Sequence, residues 1–336
     1  MASSPPEGQG LSMMWWAARN PPANPTTSFA GKTILITGAN VGLGFEAALK
    51  FATLGASRLI LGVRSLNKGN IAREKISQQT GYNANRIVLY ELDMSVFSSV
   101  TKFTEQVAKE SRLDIAILNA GLVAPSYKLS PEGYEMSIQV MVLSTALLAI
   151  LLLPQLQRSA QIAGTPAHME FAGSIAGRGI KSDTFSTNTK ILDHVNQISF
   201  FGAQRQYGVA KLLLLYVLDG LVDSPSKGRY PGVIINAVCP GPCRTSLGRD
   251  FPTLLKIPMA AFHAMFARTA EEGARSYVSG VAMGLESHGK FWSADMFFDK
   301  GEMVTSSQGK ELQQKVWQEI LDVLRPHIHE ENPIIA

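Results

Sequence analysis

Tyr207 and Lys211 open an apolar stretch as Tyr207-Gly208-Val209-Ala210-Lys211, a spacing that puts both side chains on one face of a helix. An ammonium beside a phenol favours the phenolate, so this spacing predicts a Tyr207 pKa drawn down from about 10 toward the range of a proton-transfer group. Ser174 follows the run His168-Met169-Glu170-Phe171-Ala172-Gly173, at what would be the carboxyl end of a strand, where its hydroxyl can donate to a carbonyl oxygen. A Tyr-x-x-x-Lys pair alone is common and usually structural, so the chemistry depends on what else the chain supplies.

A second set of residues suits an anion. The aliphatic run Thr33-Ile34-Leu35-Ile36-Thr37 leads into Gly38-Ala39-Asn40-Val41-Gly42-Leu43-Gly44 and then into a helical stretch, Phe45 to Leu54. A dinucleotide pyrophosphate needs a tight turn, a bare backbone and helix N-terminal N–H groups, which Gly38, Gly42 and Gly44 supply with Asn40 and Leu43 between them. The strand before and the helix after are the context such a loop requires. The second run ends in Leu61-Gly62-Val63-Arg64-Ser65, with Lys68 following, and no carboxylate stands where the ribose hydroxyls of NAD would be held. The Arg64 guanidinium and the Lys68 ammonium suit a 2′-phosphate, so NADP(H) is the expected cofactor. Glu91-Leu92-Asp93-Met94 and Leu118-Asn119-Ala120-Gly121 close the third and fourth runs. Asp93 can accept from an adenine amino group, Asn119 can tie the central strand to a neighbour, and Ala120-Gly121 leave room for a ribose.

The elements that must position these groups are legible as alternation. From Gly31 onward, short aliphatic runs alternate with longer helical stretches, the pattern of βα units in a parallel sheet. Candidate strands are Thr33 to Thr37, Arg58 to Gly62, Ile87 to Glu91, Ile115 to Asn119, Met169 to Ala172, Val233 to Val238 and Lys290 to Trp292. Several are continuously apolar, as strands covered on both faces should be. The expected fold is α/β, a doubly wound parallel sheet of about seven strands in one domain, residues 30–325. Residues 1–29 are expected to form a mobile arm and 326–336 a tail. Val316, Trp317, Ile320, Leu321 and Leu324 recur at helical spacing, predicting a C-terminal helix on the domain edge. The run Val140 to Leu153, stopped by Pro154, falls short of the roughly 20 residues that span a bilayer, so it reads as a buried helix rather than a transmembrane segment.

Composition narrows the function. With 46% hydrophobic and 17% charged residues, the chain is neither disordered nor collagen-like. A net charge of +4 from 31 basic and 27 acidic residues, without a Lys/Arg run, leaves no footprint for nucleic acid. Cys239 and Cys243, in Cys-Pro-Gly-Pro-Cys, are too few for a disulfide scaffold and lack the second pair of a zinc site, so no metal is expected and a reducing, cytoplasmic compartment fits. Met1 to Gly10 carry no basic residue, unlike a secretory signal. The island Met13-Met14-Trp15-Trp16 is expected to dock on the domain surface, with peripheral membrane contact as the alternative.

The glycine loop, Asn119-Ala120-Gly121, Ser174, Tyr207-x-x-x-Lys211 and Pro240-Gly241, taken in this order, resemble the short-chain dehydrogenase/reductase family over about residues 30–300. The resemblance implies a Rossmann fold, with Tyr207 as general acid or base, Ser174 holding the substrate oxygen, and Lys211 binding the nicotinamide ribose while lowering the Tyr207 pKa. It also implies that Pro240, Gly241 and Thr245 contact the nicotinamide carboxamide, leaving Cys239 and Cys243 as packing residues. Leu61-Gly62-Val63-Arg64 and the tail Gly309 to Leu324 resemble the retinol-dehydrogenase-like branch, in particular fungal members that tailor secondary metabolites.

The resemblance implies a ketoreductase or alcohol dehydrogenase. Its alternatives are a non-redox lyase, isomerase or cyclase on the same fold, or a scaffolding protein that has lost turnover. Leu247, Phe251, Leu254, Leu255, Ile257, Met259, Phe262, Met265 and Phe266 stand where this family carries a substrate lid and imply a hydrophobic small-molecule substrate. Homo-oligomerisation stays open. Two departures stand out. Met141 occupies the place of a family Asn that helps hold a water near the Lys, and Ser144 the place of a Gly. Either Lys211 reaches solvent another way, with Ser144 assisting, or proton supply is impaired and the chemistry is slow or different; the bland alternative is that Met141 only fills the core. The interval of 33 positions from Ser174 to Tyr207 is long, and Lys181 to Phe201 is expected to add a wall or surface loop near the site.

Overall fold

The computed structural model of the chain describes residues 11–185, 188–223, 230–248, 251–252, 260, 262–332 and 334. The aliphatic runs become β1 (Thr33–Thr37), β2 (Arg58–Val63), β3 (Ile87–Glu91), β4 (Ile115–Leu118), β5 (Ala167–Ala172), β6 (Val233–Cys239), β7 (Phe291–Ser293) and β8 (Met296–Phe298). They form one sheet in the order β3-β2-β1-β4-β5-β6-β7-β8. The first seven run parallel, and β8 pairs antiparallel with β7 through a turn at Ala294 and Asp295, both at positive φ. The doubly wound sheet is therefore as expected, with one added edge strand.

The strand order reverses between β1 and β4, and at such a switch point the loops beyond the carboxyl ends diverge and leave a crevice. Register holds the crevice edges level: Ile36 pairs with Ile117 across β1 and β4, and Thr37 with Gly62 across β1 and β2. On one face of the sheet lie α2 (Gly42–Thr53), α3 (Leu66–Thr80) and α7 (Ala270–Val281), packing Ala47, Phe51, Ile76, Ala274 and Val278 against β1, β2 and β6. On the other lie α4 (Phe97–Val107), α5 (Met136–Ala163), α6 (Ala203–Asp223) and α8 (Ser307–Leu324). The helix α5 is long and apolar enough to cross a membrane by composition, yet 89% of its most apolar window is buried inside the domain. It continues through Pro154 to Ala163, so the proline does not end it.

The C-terminal helix α8 is capped by Ser306, whose hydroxyl accepts from the Gly309 N–H at 3.1 Å, and it seals the outer side of α6. Trp317 fits against Gly220, where a Cβ would stand 2.4 Å from the indole ring. Gln313 donates to the Tyr216 carbonyl at 3.1 Å, and the Glu319 carboxylate accepts from the N–H groups of Ile191 and Leu192.

Ahead of β1, α1 (Leu11–Arg19) and the segment behind it, expected as an arm outside the domain, are tied down at several points. Arg268 donates to the Ala17 and Asn20 carbonyls, Arg275 to that of Pro22, and the Ala23 N–H to Asp295 Oδ2 at 2.7 Å.

Beneath α7, β5 carries two buried titratable groups. Burial pushes Glu170 well above the usual carboxylate range. Burial pushes His168 down from 6.5 to about 4, opposed by a hydrogen bond with Asn236 and reinforced by the charge of His288. A histidine neutral in the fold and protonated when unfolded stabilises fully above about pH 6.5, and that stability is lost as pH falls toward 4. The loss should reach about 3 kcal/mol. Thermal melts across this window should show the slope in the parent and a flatter one in His168→Leu; identical slopes would refute the assignment.

Candidate active site

The carboxyl ends of β1, β2, β4, β5 and β6 meet around a cleft of about 750 Å³. Its floor is the glycine loop, where Gly38 and Gly42 take φ of +67° and +60°, a left-handed region that favours glycine. Gly44 is constrained from the other side. A Cβ there would lie 2.6 Å from Asn119 Nδ2 and 2.8 Å from the Gly38 carbonyl oxygen, so only a bare backbone lets β4 and the first turn of α2 meet. Asn119 Nδ2 donates to the Thr37 carbonyl at 2.8 Å and the Ala120 N–H to Thr37 Oγ1 at 2.9 Å, which locks β4 to β1 at the crevice.

Gly38, Asn40, Gly42 and Leu43 line the cleft, as do Arg64, Lys68 and Asp93 farther out and Asn119, Ala120 and Gly121 at its centre. Arg64 and Lys68 are exposed, and among the described residues neither has a carboxylate partner. Asp93 is partly engaged: its Oδ1 accepts from the Ser95 N–H and hydroxyl at 2.9 and 2.7 Å. Tyr207, Lys211, Pro240, Thr245 and Leu247 line the cleft as well. Gly44, Ser174 and Gly241 do not themselves line the cleft, though each adjoins a residue that does, Leu43, Gly173 and Pro240.

Ser174 and Tyr207 are brought together by a close approach. After β5, residues Ile175–Gly179 make a short 3-10 turn that Ser174 caps, its Oγ accepting from the Ala176 N–H at 3.2 Å. The turn lies so near α6 that a Cβ on Gly177 would stand 2.8 Å from the Leu212 nitrogen. Ser174 is consequently brought beside the Tyr207 phenol and favours its ionised form. Lys211, one turn on and 6% exposed, donates from Nζ to the Ala172 carbonyl at 2.6 Å, with its nitrogen 5.7 Å from the Tyr207 ring centre.

The electrostatics correct the expectation drawn from spacing. Burial pushes Tyr207 up to about 12; the Ser174 hydrogen bond pulls against this, and negative charge on Cys239 and Cys243 would add to it. Lys211 does not reverse the shift; its ammonium donates to the Ala172 carbonyl and is itself pushed by burial down to about 8. The phenol is thus a held proton, suited to donating to a developing alkoxide.

Two neighbours, Tyr277 and Thr37, are not singled out by sequence. Tyr277 on α7 lines the cleft and donates to Asn119 Oδ1 at 3.0 Å. The capping box Thr269–Glu272 that starts α7 is the available signal for that helix. Thr37, invisible within its strand, holds both Asn119 and Ala120. Met141 is 1% exposed and borders the cleft, its sulfur 3.4 Å from where a Cβ on Gly121 would stand. It lies in a π-turn, Gln139–Leu143, where Gln139 Nε2 donates to Ser144 Oγ at 2.9 Å. Among the described residues of the segment from Lys181 to Phe201 none lines the cleft; Tyr127 and Glu135 bond its Asn196, so it buttresses the start of α5. Of the apolar lid, Leu247 reaches the cleft and Phe262 packs on Phe266 with ring centres 5.2 Å apart. Leu254, Leu255, Ile257 and Met259 lie outside the described residues. Cys239 and Cys243 are free thiols, and among the described residues no cluster of metal-ligating side chains occurs.

A family model described as short chain dehydrogenase matches residues 32–176. A short-chain dehydrogenase/reductase of Aspergillus flavipes, ffsI, is 47% identical over 323 residues, covering 96% of this chain and 94% of that protein. Another, phmF of Phaeosphaeria nodorum, is 48% identical over 307 residues, covering 91% and 90%. Among solved structures, the Pseudomonas aeruginosa RhlG/NADP active-site complex superposes with a TM-score of 0.60 at 23% identity, over 81% of this chain and 98% of that one, a likeness of fold. The chain belongs to the short-chain dehydrogenase/reductase family, Rossmann-fold oxidoreductases that work with a nicotinamide cofactor.

Proposed function

We propose that this protein is an NADP(H)-dependent reductase or dehydrogenase acting on a hydrophobic ketone or alcohol, in the biosynthesis of a fungal secondary metabolite. One observation carries the reading: the Tyr207 phenol, its proton held by burial and Ser174 beside it, lines one cleft together with the glycine loop and Arg64. The loop fits a pyrophosphate, since Gly38 and Gly42, which line the cleft, present a bare left-handed backbone ahead of the N-terminus of α2. Arg64 and Lys68 would hold the 2′-phosphate, Asp93 the adenine, Lys211 the nicotinamide ribose, and Pro240 and Thr245 the carboxamide. The cofactor, when bound, supplies or accepts the hydride. Ser174 orients the substrate oxygen, and Tyr207 gives it a proton or, in oxidation, takes one. Leu247 and the aromatic pair Phe262–Phe266 supply apolar area for the substrate. Relatives from two fungi, and thiols left free as in a reducing cytoplasm, are consistent with the biological setting.

The test is loss of reduced-nicotinamide absorbance against a panel of hydrophobic ketones, followed by metabolite profiling of the host with and without the active protein. Binding of cofactor with no turnover on any carbonyl or alcohol would instead favour a non-redox role. NADPH should bind at least about tenfold more tightly than NADH, since a lost phosphate contact costs about 1.5–3 kcal/mol. Arg64→Ala should erase most of that difference by weakening NADPH alone. Equal affinities in the parent protein, measured by titration, would overturn the NADP assignment.

A further inference from the structure

We propose that Arg268 is a positioning residue and residues 11–24 a strap, which together hold the segment after β6 closed over the nicotinamide end of the cleft. The proposal rests on reading the cleft as a dinucleotide site.

Arg268 is 2% exposed, and its guanidinium joins two parts of the chain some 250 positions apart in sequence. Nε donates to the Ala17 carbonyl at 2.9 Å and Nη2 to that of Asn20 at 3.3 Å. Nη1 donates to the Pro240 carbonyl at 3.3 Å. The backbone of the same residue pins the segment from within: its N–H donates to the Pro242 carbonyl at 2.9 Å, and its carbonyl accepts from the Arg244 N–H at 2.8 Å. Pro240, Thr245 and Leu247 then face the cleft, and Thr245 Cβ lies 3.5 Å from where a Cβ on Gly42 would stand. The segment thus roofs the glycine loop, and Arg268 holds its base.

A buried guanidinium bonded to neutral carbonyls is costly compared with an apolar side chain of similar volume. What it gains here is three carbonyls fixed around one side chain, an arrangement that suits the forked donor set of arginine. The strap has anchors of its own. Trp15 meets Phe266 edge-on at 5.9 Å, and Ala23 and Pro22 are bonded to Asp295 and Arg275. None of these strap residues lines the cleft, so their effect on ligand passes through the segment they brace.

The test compares dissociation constants of NADPH and of 2′-phospho-ADP-ribose, the same molecule without its nicotinamide. Arg268→Ala should weaken NADPH about tenfold and the fragment less than about twofold. Trp15, 44% exposed, can be cut to Ala without opening the core, and Trp15→Ala should weaken NADPH about threefold with the fragment unchanged. Arg268→Lys, which keeps one donor group but loses the fork, should fall between the parent and Arg268→Ala. Equal losses for both ligands, or a lowered melting temperature with an unchanged ratio, would overturn the proposal. If the protein prefers NADH, the same ratio is read with NADH and ADP-ribose. Amide hydrogen exchange over residues 240–248 separates the strap from the cofactor reading altogether. It should accelerate in both alanine variants whether or not any dinucleotide binds, and unchanged exchange refutes the strap.

Discussion

Tyr207→Phe should leave the fold and cofactor affinity nearly intact while turnover falls roughly 100-fold or more, the usual scale for removing a general acid. The substitution removes one oxygen and little volume. Ser174 keeps a partner, because its Oγ still accepts from the Ala176 N–H, so no buried group is orphaned. What disappears is the only proton the phenol could hold near a substrate oxygen. Burial keeps that proton in place, since it pushes the phenol up to about 12. Single-turnover rates with cofactor titration in parallel separate the two effects, and a Phe variant that retains most of its rate would show that Tyr207 is not the donor. Lys211→Ala should behave differently and damage both binding and turnover, for its ammonium is also bonded to the Ala172 carbonyl that ends β5.

Gly44→Ala should be nearly as damaging, by a different route. A single methyl would enter a space 2.6 Å from Asn119 Nδ2 and 2.8 Å from the Gly38 carbonyl. Asn119 cannot step aside freely, because it bonds Thr37 through Nδ2 and Tyr277 through Oδ1. Overpacking of this kind costs about 1–3 kcal/mol, and each displaced hydrogen bond adds about 1 kcal/mol. The expected result is a lower melting temperature together with a more than about tenfold loss of dinucleotide affinity. Gly179, exposed and with nothing within 4 Å of its Cβ position, provides the control, and Gly179→Ala should be silent in both assays. A Gly44→Ala protein that binds dinucleotide normally would mean that the loop does not approach the pyrophosphate as described.

The strands are legible where a continuous aliphatic run meets burial on both faces, as in Ile34-Leu35-Ile36 and Leu59-Ile60-Leu61. The strand β8 is not, being three residues long and entered through Ala294-Asp295, a left-handed turn without the glycine or asparagine that usually marks one. The glycine loop and the residues at strand ends can be read because their chemistry is local. Arg268 cannot, since its side-chain partners come from the far N-terminus and from the turn after β6. The Tyr207 proton affinity escapes the sequence for a related reason. Spacing places a lysine near a phenol but does not reveal how deeply the pair is buried or that Ala172 takes the ammonium's hydrogen bond.

The covering of α6 by α8 bears on how the chain is made. Tyr216, Gly220 and their apolar neighbours are synthesised some 90 residues before Gln313 and Trp317, the side chains that close over them. During synthesis the sheet through β6 can assemble while this flank of α6 still faces solvent, and α8 can fold back onto it only once it has itself left the ribosome. A frameshift or stop codon after β8 would therefore leave the residues lining the cleft in the chain, but would expose a strip of core to chaperones and proteases.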